Sequence, residues 1–329
     1  MRVFAGRVGC IGDVEFAVVQ HLEWISVEVD THCNVRCTMC PISTGKVKNQ
    51  GRVSLETIEN ICRKAKGWTD KISLAVMGEP LLHPLLPEMV ALVKRHGYKA
   101  LVWTNGVLMN RRRAEALLRV GVDKVVFSFE IIDKDLHEAV RVGASYDKVR
   151  ANLDAFLELR DALSPATEVS IWNIIPDLGH PLTVPESLAA AYPGVEFFVS
   201  YAMDWHGEVD VGAVPERLGA PAPCNQIQHY LSVAWDGKVI ACCNDFNHEY
   251  VLGDINTDSM EDIWYGKPRS QLVERMARGL LQGVRPCGTC SAPYVKEGVP
   301  RYFVKDRSEY TDKMASNAAK QVDGEIAGH

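Results

Sequence analysis

The chain has 329 residues, 47% of them hydrophobic and 24% charged, which is ordinary globular composition and enough for one large domain or two smaller ones. A net charge of −6 argues against a surface built to hold nucleic acid. Arg7, Asp13 and Glu15 interrupt the start of the chain, so no secretory core follows Arg2, and no apolar run reaches the ~18 residues of a membrane helix; a cytoplasmic protein that binds no membrane is expected.

Residues 24–30 (WISVEVD) alternate apolar and polar side chains as a strand does. Ser54 is placed to cap a helix running to about Lys66. Residues 71–77 form a second strand, a helix follows Pro87 and stops near Gly97, and strand 100–103 leads to helix 110–120, ended by Gly121. The series continues with strand 124–130, helix 145–163, strand 168–175, helix 184–191 and strand 195–201. Six strand-then-helix units in succession predict a parallel sheet with right-handed crossovers. That is an α/β fold, a partial (β/α)6 TIM-like barrel, with its chemistry at the C-terminal ends of the strands.

The alternation stops near residue 203, and residues 205–223 read as a Gly/Pro-broken linker. Segments 229–235 and 238–243 flank Asp236-Gly237, a two-residue hairpin signal. A short helix is predicted over 258–264, capped by Asp258 or Thr257. The expected organisation is an N-terminal extension (1–21), a barrel (22–203), a linker (204–223), a small hairpin-plus-helix domain (224–306) and a polar tail (307–329).

Ten cysteines is a high count, and in a reducing compartment clustered cysteines are metal ligands or catalytic groups rather than disulfides. Cys10 and Cys62 stand alone and read as buried apolar residues. Cys33, Cys37 and Cys40 share one loop (THCNVRCTMCP) that leaves the first strand. Three thiolates can hold three irons of a 4Fe–4S cube and leave the fourth iron open. Zinc would want a fourth ligand, for which His32 is the nearby candidate.

This loop resembles the signature of radical S-adenosylmethionine (SAM) enzymes, and the resemblance covers roughly residues 22–203. It implies a reduced cluster that cleaves SAM to a 5′-deoxyadenosyl radical, which abstracts hydrogen from the substrate. Met39 departs from the pattern, standing where many relatives carry an aromatic residue. Met77-Gly78-Glu79-Pro80 resembles the family's GGEP motif, where Gly78 and Glu79 would receive the cosubstrate ammonium. Thr104-Asn105-Gly106 matches a common turn of the family. By the same resemblance Ser128 would bind the ribose, Arg141 would pair with the methionine carboxylate, and the adenine would lie near Tyr201 and Met203.

Cys224, the hairpin with Cys242-Cys243, the Leu252–Ile255 stretch, Ile263-Trp264 and Cys287-x2-Cys290 resemble the SPASM or Twitch extension of radical enzymes. The resemblance implies a second 4Fe–4S cluster held by Cys224, Cys242, Cys287 and Cys290. Neighbouring strand residues face apart, so Cys243 would be spare. Structural zinc is the alternative for this second set.

A second, fully ligated cluster can accept an electron, which fits dehydrogenation of an alcohol, as in the aminocyclitol dehydrogenases that this architecture resembles. The alternatives are redox-neutral decarboxylation or epimerisation, in which Cys243 would return hydrogen, and peptide maturation. A two-cluster electron-transfer protein is the non-enzyme alternative. Only 32 residues precede Cys33, which argues for a small polar sugar, aminocyclitol or nucleoside substrate. A flavodoxin- or ferredoxin-type donor would supply electrons. Glu130, Trp205, His206, Glu208, His229 and Asp245 are the candidates for the substrate end, with Glu130 and Cys243 as candidate catalytic groups.

Overall fold

In a computed structural model the described residues are 21–175, 183–211 and 224–290, with the backbone of three short strands at Gly9–Ile11, Val14–Phe16 and Phe303–Val304. Most of the predicted linker, the polar tail and the side chain of Cys10 lie outside the described residues.

Six strands form the body: β1 (Trp24–Val27), β2 (Lys71–Leu74), β3 (Lys99–Thr104), β4 (Lys124–Ser128), β5 (Glu168–Ile175) and β6 (Val195–Tyr201). Each pairs in parallel with the next. The crossovers carry α1 (Leu55–Lys64), α2 (Leu86–Arg95), α3 (Arg111–Arg119), α4 (Lys134–Val140), α5 (Tyr146–Leu163) and α6 (Glu186–Ala191). Alternation on the strands decides which face the helices cover. Ile72, Val102, Phe127 and Val169 share one buried core with Ile58 of α1, Val90 of α2, Leu117 of α3 and Phe156 of α5. The intervening residues, Ser26, Ser73, Ser128, Trp172 and Ser200 among them, turn to the opposite face. There Trp172 Nε1 donates to Ser200 Oγ at 2.7 Å, and the Trp103 and Trp172 rings lie 4.8 Å apart.

The barrel stays open because the far edge of β1 is taken by a strand from the C-terminal region. After α7 (Asn225–His229), β7 (Tyr230–Val233) runs parallel to β1, with Tyr230 opposite Trp24. It turns through Asp236-Gly237 into β8 (Lys238–Ile240), which pairs with β9 (Val251–Asp254). The predicted hairpin is present, but its loop is three residues, Trp235–Gly237, rather than two: Ala234 N donates to Lys238 O at 2.8 Å, Gly237 N donates to Ala234 O at 2.9 Å, and of the three only Gly237 takes a positive φ, +94°, as the last residue of such a loop requires. One sheet therefore runs from the hairpin through the whole barrel.

The predicted helix at 258–264 is α8 (Met260–Tyr265), and its cap is Ser259, neither Asp258 nor Thr257. Ser259 Oγ accepts from Asp262 N at 3.0 Å, while the Asp258 carboxylate is drawn back to Asp254 N at 2.8 Å. An unpredicted α9 (Lys267–Ala277) follows at once, burying Leu272, Val273 and Met276. Cys62 is buried in the helix-covered core, as expected.

Candidate metal centres and cosubstrate site

The first cysteine loop is fixed at its middle by backbone. Arg36–Cys37 pairs antiparallel with Arg141–Val142, and Thr38 N donates to Val140 O at 2.8 Å. Cys33, Cys37 and Cys40 sit together among Val35, Met39, Val140, Val209, Val211 and Trp205. Burial pushes the Cys33 thiol up to about 11 and Cys40 to about 12. Cys37 is also raised by burial, with Arg141 pulling the other way. Such thiols become thiolates only against a strong cationic partner, which iron would be.

The ends of β2 and β3 press on this loop. A Cβ at Gly78 would overlap the Asp30 carbonyl oxygen, and Gly78 has a φ of +87°, so glycine alone permits the approach. Glu79 N donates to His32 O at 2.9 Å. The buried Glu79 carboxylate accepts from Leu81 N at 3.0 Å, Thr104 Oγ1 at 2.8 Å and Asn105 N at 2.8 Å, so it ties the two strand ends together. Asn105 Nδ2 in turn reaches Cys33 Sγ at 3.8 Å and Asn34 Oδ1 at 3.0 Å. Gly78, Glu79, Thr104, Asn105 and Arg141 thus gather at the Cys33–Cys40 loop. Ser128 and Tyr201 end β4 and β6, half-buried on strands of the same sheet.

Arg141, expected to pair with a methionine carboxylate, and Glu130, a candidate catalytic group, are brought together: Arg141 Nε and Nη2 each lie 2.6 Å from a Glu130 carboxylate oxygen, which leaves Nη1 outside that pair. Burial favours the neutral form of Glu130, but Arg141 and His137 outweigh that and hold its carboxyl below the usual carboxylate range.

In the C-terminal region Cys224, Cys242, Cys287 and Cys290 line one cavity, together with His206 and Met276. Cys290 N donates to Cys287 O, a turn that brings those two thiols to the same side. Cys243 does not line this cavity; its thiol lies 3.8 Å from both Gln226 Oε1 and Asn244 Oδ1. Burial raises the Cys243 and Cys287 thiols to about 12. His206 Nε2 donates to Asn244 O at 3.1 Å, and its buried Nδ1 has no partner, which leaves a polar atom on the cavity wall for a further group. Among the described residues no three His, Cys, Asp or Glu side chains converge tightly enough for one metal ion. Four thiols spread around a cavity fit a cluster, whose irons stand apart.

The remaining substrate candidates divide. Trp205 Nε1 donates to Met39 O at 2.8 Å and covers the first loop, while the adjacent His206 lines the second cavity. Both have positive φ, an uncommon backbone that the two packed neighbours hold in place. Glu208 instead pairs with Lys46 and Arg285, and Asp245 accepts from Glu249 N and Tyr250 N to shape a turn. His229 ends α7, and its carbonyl accepts from Glu23 N. Sequence reasoning missed buried Glu28, whose Oε2 accepts from His248 Nε2 at 2.9 Å and whose Oε1 has no partner. Glu28 falls on a polar position of the 24–30 alternation, so nothing in the sequence signals its burial.

Residues 27–164 match the Radical SAM superfamily, and residues 224–291 match SPASM, an iron-sulfur cluster-binding domain. The chain is 31% identical over 138 residues to the GTP 3',8-cyclase of Chlorobaculum tepidum, covering 41% of each protein. It is 22% identical over 271 residues to the S-adenosyl-L-methionine-dependent 2-deoxy-scyllo-inosamine dehydrogenase of Niallia circulans, covering 81% of this chain and 92% of the relative. The crystal structure of BtrN in complex with AdoMet and 2-DOIA superposes with a TM-score of 0.56 at 20% identity, over 82% of this chain and 92% of that one, a likeness of fold.

Proposed function

We propose that this chain, a radical SAM enzyme with a SPASM domain, dehydrogenates an alcohol of a small polar sugar, aminocyclitol or nucleoside. The observation that carries the reading is the pair of separate thiol sets, three on the first loop and four around the second cavity. Cys33, Cys37 and Cys40 hold the SAM-binding 4Fe–4S cluster, and Cys224, Cys242, Cys287 and Cys290 hold the second. When bound, these groups supply the electron that cleaves SAM to a hydrogen-abstracting radical and an acceptor for the electron that the substrate gives up.

The chain's own residues do the holding. Gly78 leaves room for close approach at the loop, and Glu79 ties together the β2 and β3 ends, which would receive the cosubstrate amine. Ser128 would hold the ribose and Tyr201 the adenine. Ser26 and Ser73, on the face away from the helices, offer hydroxyls to a polar substrate. The likeness to the dehydrogenase over 92% of that relative supports an alcohol substrate. A flavodoxin- or ferredoxin-type protein in the cytoplasm would reduce the first cluster.

The test is anaerobic reconstitution followed by an assay for 5′-deoxyadenosine. About eight irons are expected in the wild type. Changing Cys33, Cys37 and Cys40 together to Ala is expected to remove about four irons and all SAM cleavage; retained cleavage refutes the assignment. Cys243 favours a second reading. Its thiol stands outside the four-thiol set, 3.8 Å from Gln226 Oε1 and Asn244 Oδ1, and is left to return a hydrogen atom in an epimerisation. Deuterium from heavy water in the product would support that reading over dehydrogenation.

A further inference from the structure

Arg141 has one guanidinium nitrogen that its carboxylate partner does not use. Nε and Nη2 are both spent on Glu130, and Nη1 lies 3.7 Å from Cys37 Sγ. The arrangement is built rather than incidental. Arg141 is 5% exposed and Glu130 0%. Arg141 and Cys37 are directly paired in the two-residue ladder, which fixes guanidinium and thiol against each other. Glu130 is itself held, by His137 Nδ1 at 3.0 Å and by Ile174 N at 3.2 Å.

We infer that Arg141 sets the reduction potential of the first cluster through its hydrogen bond to Cys37, and that Glu130 positions Arg141 and tempers its charge. The inference rests on the reading of Cys33, Cys37 and Cys40 as cluster ligands. A cluster gains one negative charge on reduction, and a cation donating to a ligand sulfur stabilises that reduced form and raises the potential. Arginine keeps its charge at any working pH, so the bias is permanent. Low surrounding dielectric makes it larger than at a surface. Glu130 opposes it from the far side of the guanidinium. Removing the cation and removing the anion should therefore move the potential in opposite directions, which loss of structure alone would not do.

The experiment is a redox titration of the reconstituted holoenzyme followed by electron paramagnetic resonance. The first cluster is the signal that changes when SAM is added. Arg141→Met is expected to lower its midpoint potential and Glu130→Gln to raise it, each with about eight irons retained. Unchanged potentials, or shifts of the same sign, overturn the inference while leaving the ligand assignment standing. If Arg141→Met loses iron, Glu130→Gln decides alone: a rise supports the inference and no rise overturns it. A wild-type protein with no SAM-responsive cluster overturns the ligand reading and the inference together.

Discussion

Cys242 and Cys243 show how much one residue of register decides. The pair follows β8 in a turn, not on the strand that sequence reasoning assumed, and its two side chains still part. Cys242 lines the cavity with Cys224, Cys287 and Cys290, whereas Cys243 faces Gln226 and Asn244. Cys242→Ser is expected to lose about four irons and Cys243→Ala to keep about eight. Iron and sulfide counting after reconstitution checks this, and the reverse pattern would shift the register by one. The same loop logic applies at Gly78. There a side chain would overlap the Asp30 carbonyl, and alanine would also strain the positive φ. Gly78→Ala is expected to cost several kcal/mol or to displace the first cysteine loop. A normal melting temperature together with normal SAM affinity would contradict it.

At the scale of elements, local signals were legible and tertiary ones were not. Strand 168–175 emerged at its predicted bounds, a short run rich in β-branched and aromatic residues. Ser54 caps α1 as expected, accepting from Thr57 N at 3.0 Å. Ser54→Ala is expected to destabilise the protein by about 1 kcal/mol, read as a small drop in melting temperature with unchanged iron content. The cap of α8 was misplaced because Asp258, Ser259 and Thr257 are all good caps, and only the pull of Asp254 N on Asp258 chooses among them. α9 was not predicted; Pro268 stands in its first turn, where proline is tolerated. The first cysteine set was legible because its three thiols share one short loop, and the second because its spread over a hairpin and helices resembles a known extension. The Glu130–Arg141 pair was not, since eleven residues of turn and helix must first fold to bring the two side chains together.

At the scale of the whole molecule, the two cysteine regions are tied to each other by more than a shared sheet. The Asn247 amide bridges the first loop's return, accepting from Lys48 N at 2.9 Å and donating to Lys46 O at 3.0 Å. The next residue, His248, sits between Asn49 at 2.9 Å and Glu28 at 2.9 Å. Glu28 also accepts from Trp235 N, at the hairpin turn. One buried carboxylate at the end of β1 thus gathers both regions. Burial alone would lower the His248 pKa, but its hydrogen bond and charge interaction with Glu28 outweigh this, with smaller help from Asp236 and Asp245, and the pKa ends raised. The sign of the pH dependence follows. The proton-linked stability is fully present below the unfolded pKa of about 6.5 and is lost as pH rises through the higher folded value. Glu28→Gln removes the charge but keeps the shape, so its melting temperature is expected to lie furthest below wild type near pH ~6. The gap should narrow as pH rises past the raised His248 value. Melting curves of both proteins across pH ~5.5 to ~8.5 decide the matter: a gap that does not change with pH would mean that the Glu28–His248 contact contributes shape to the join and no charge.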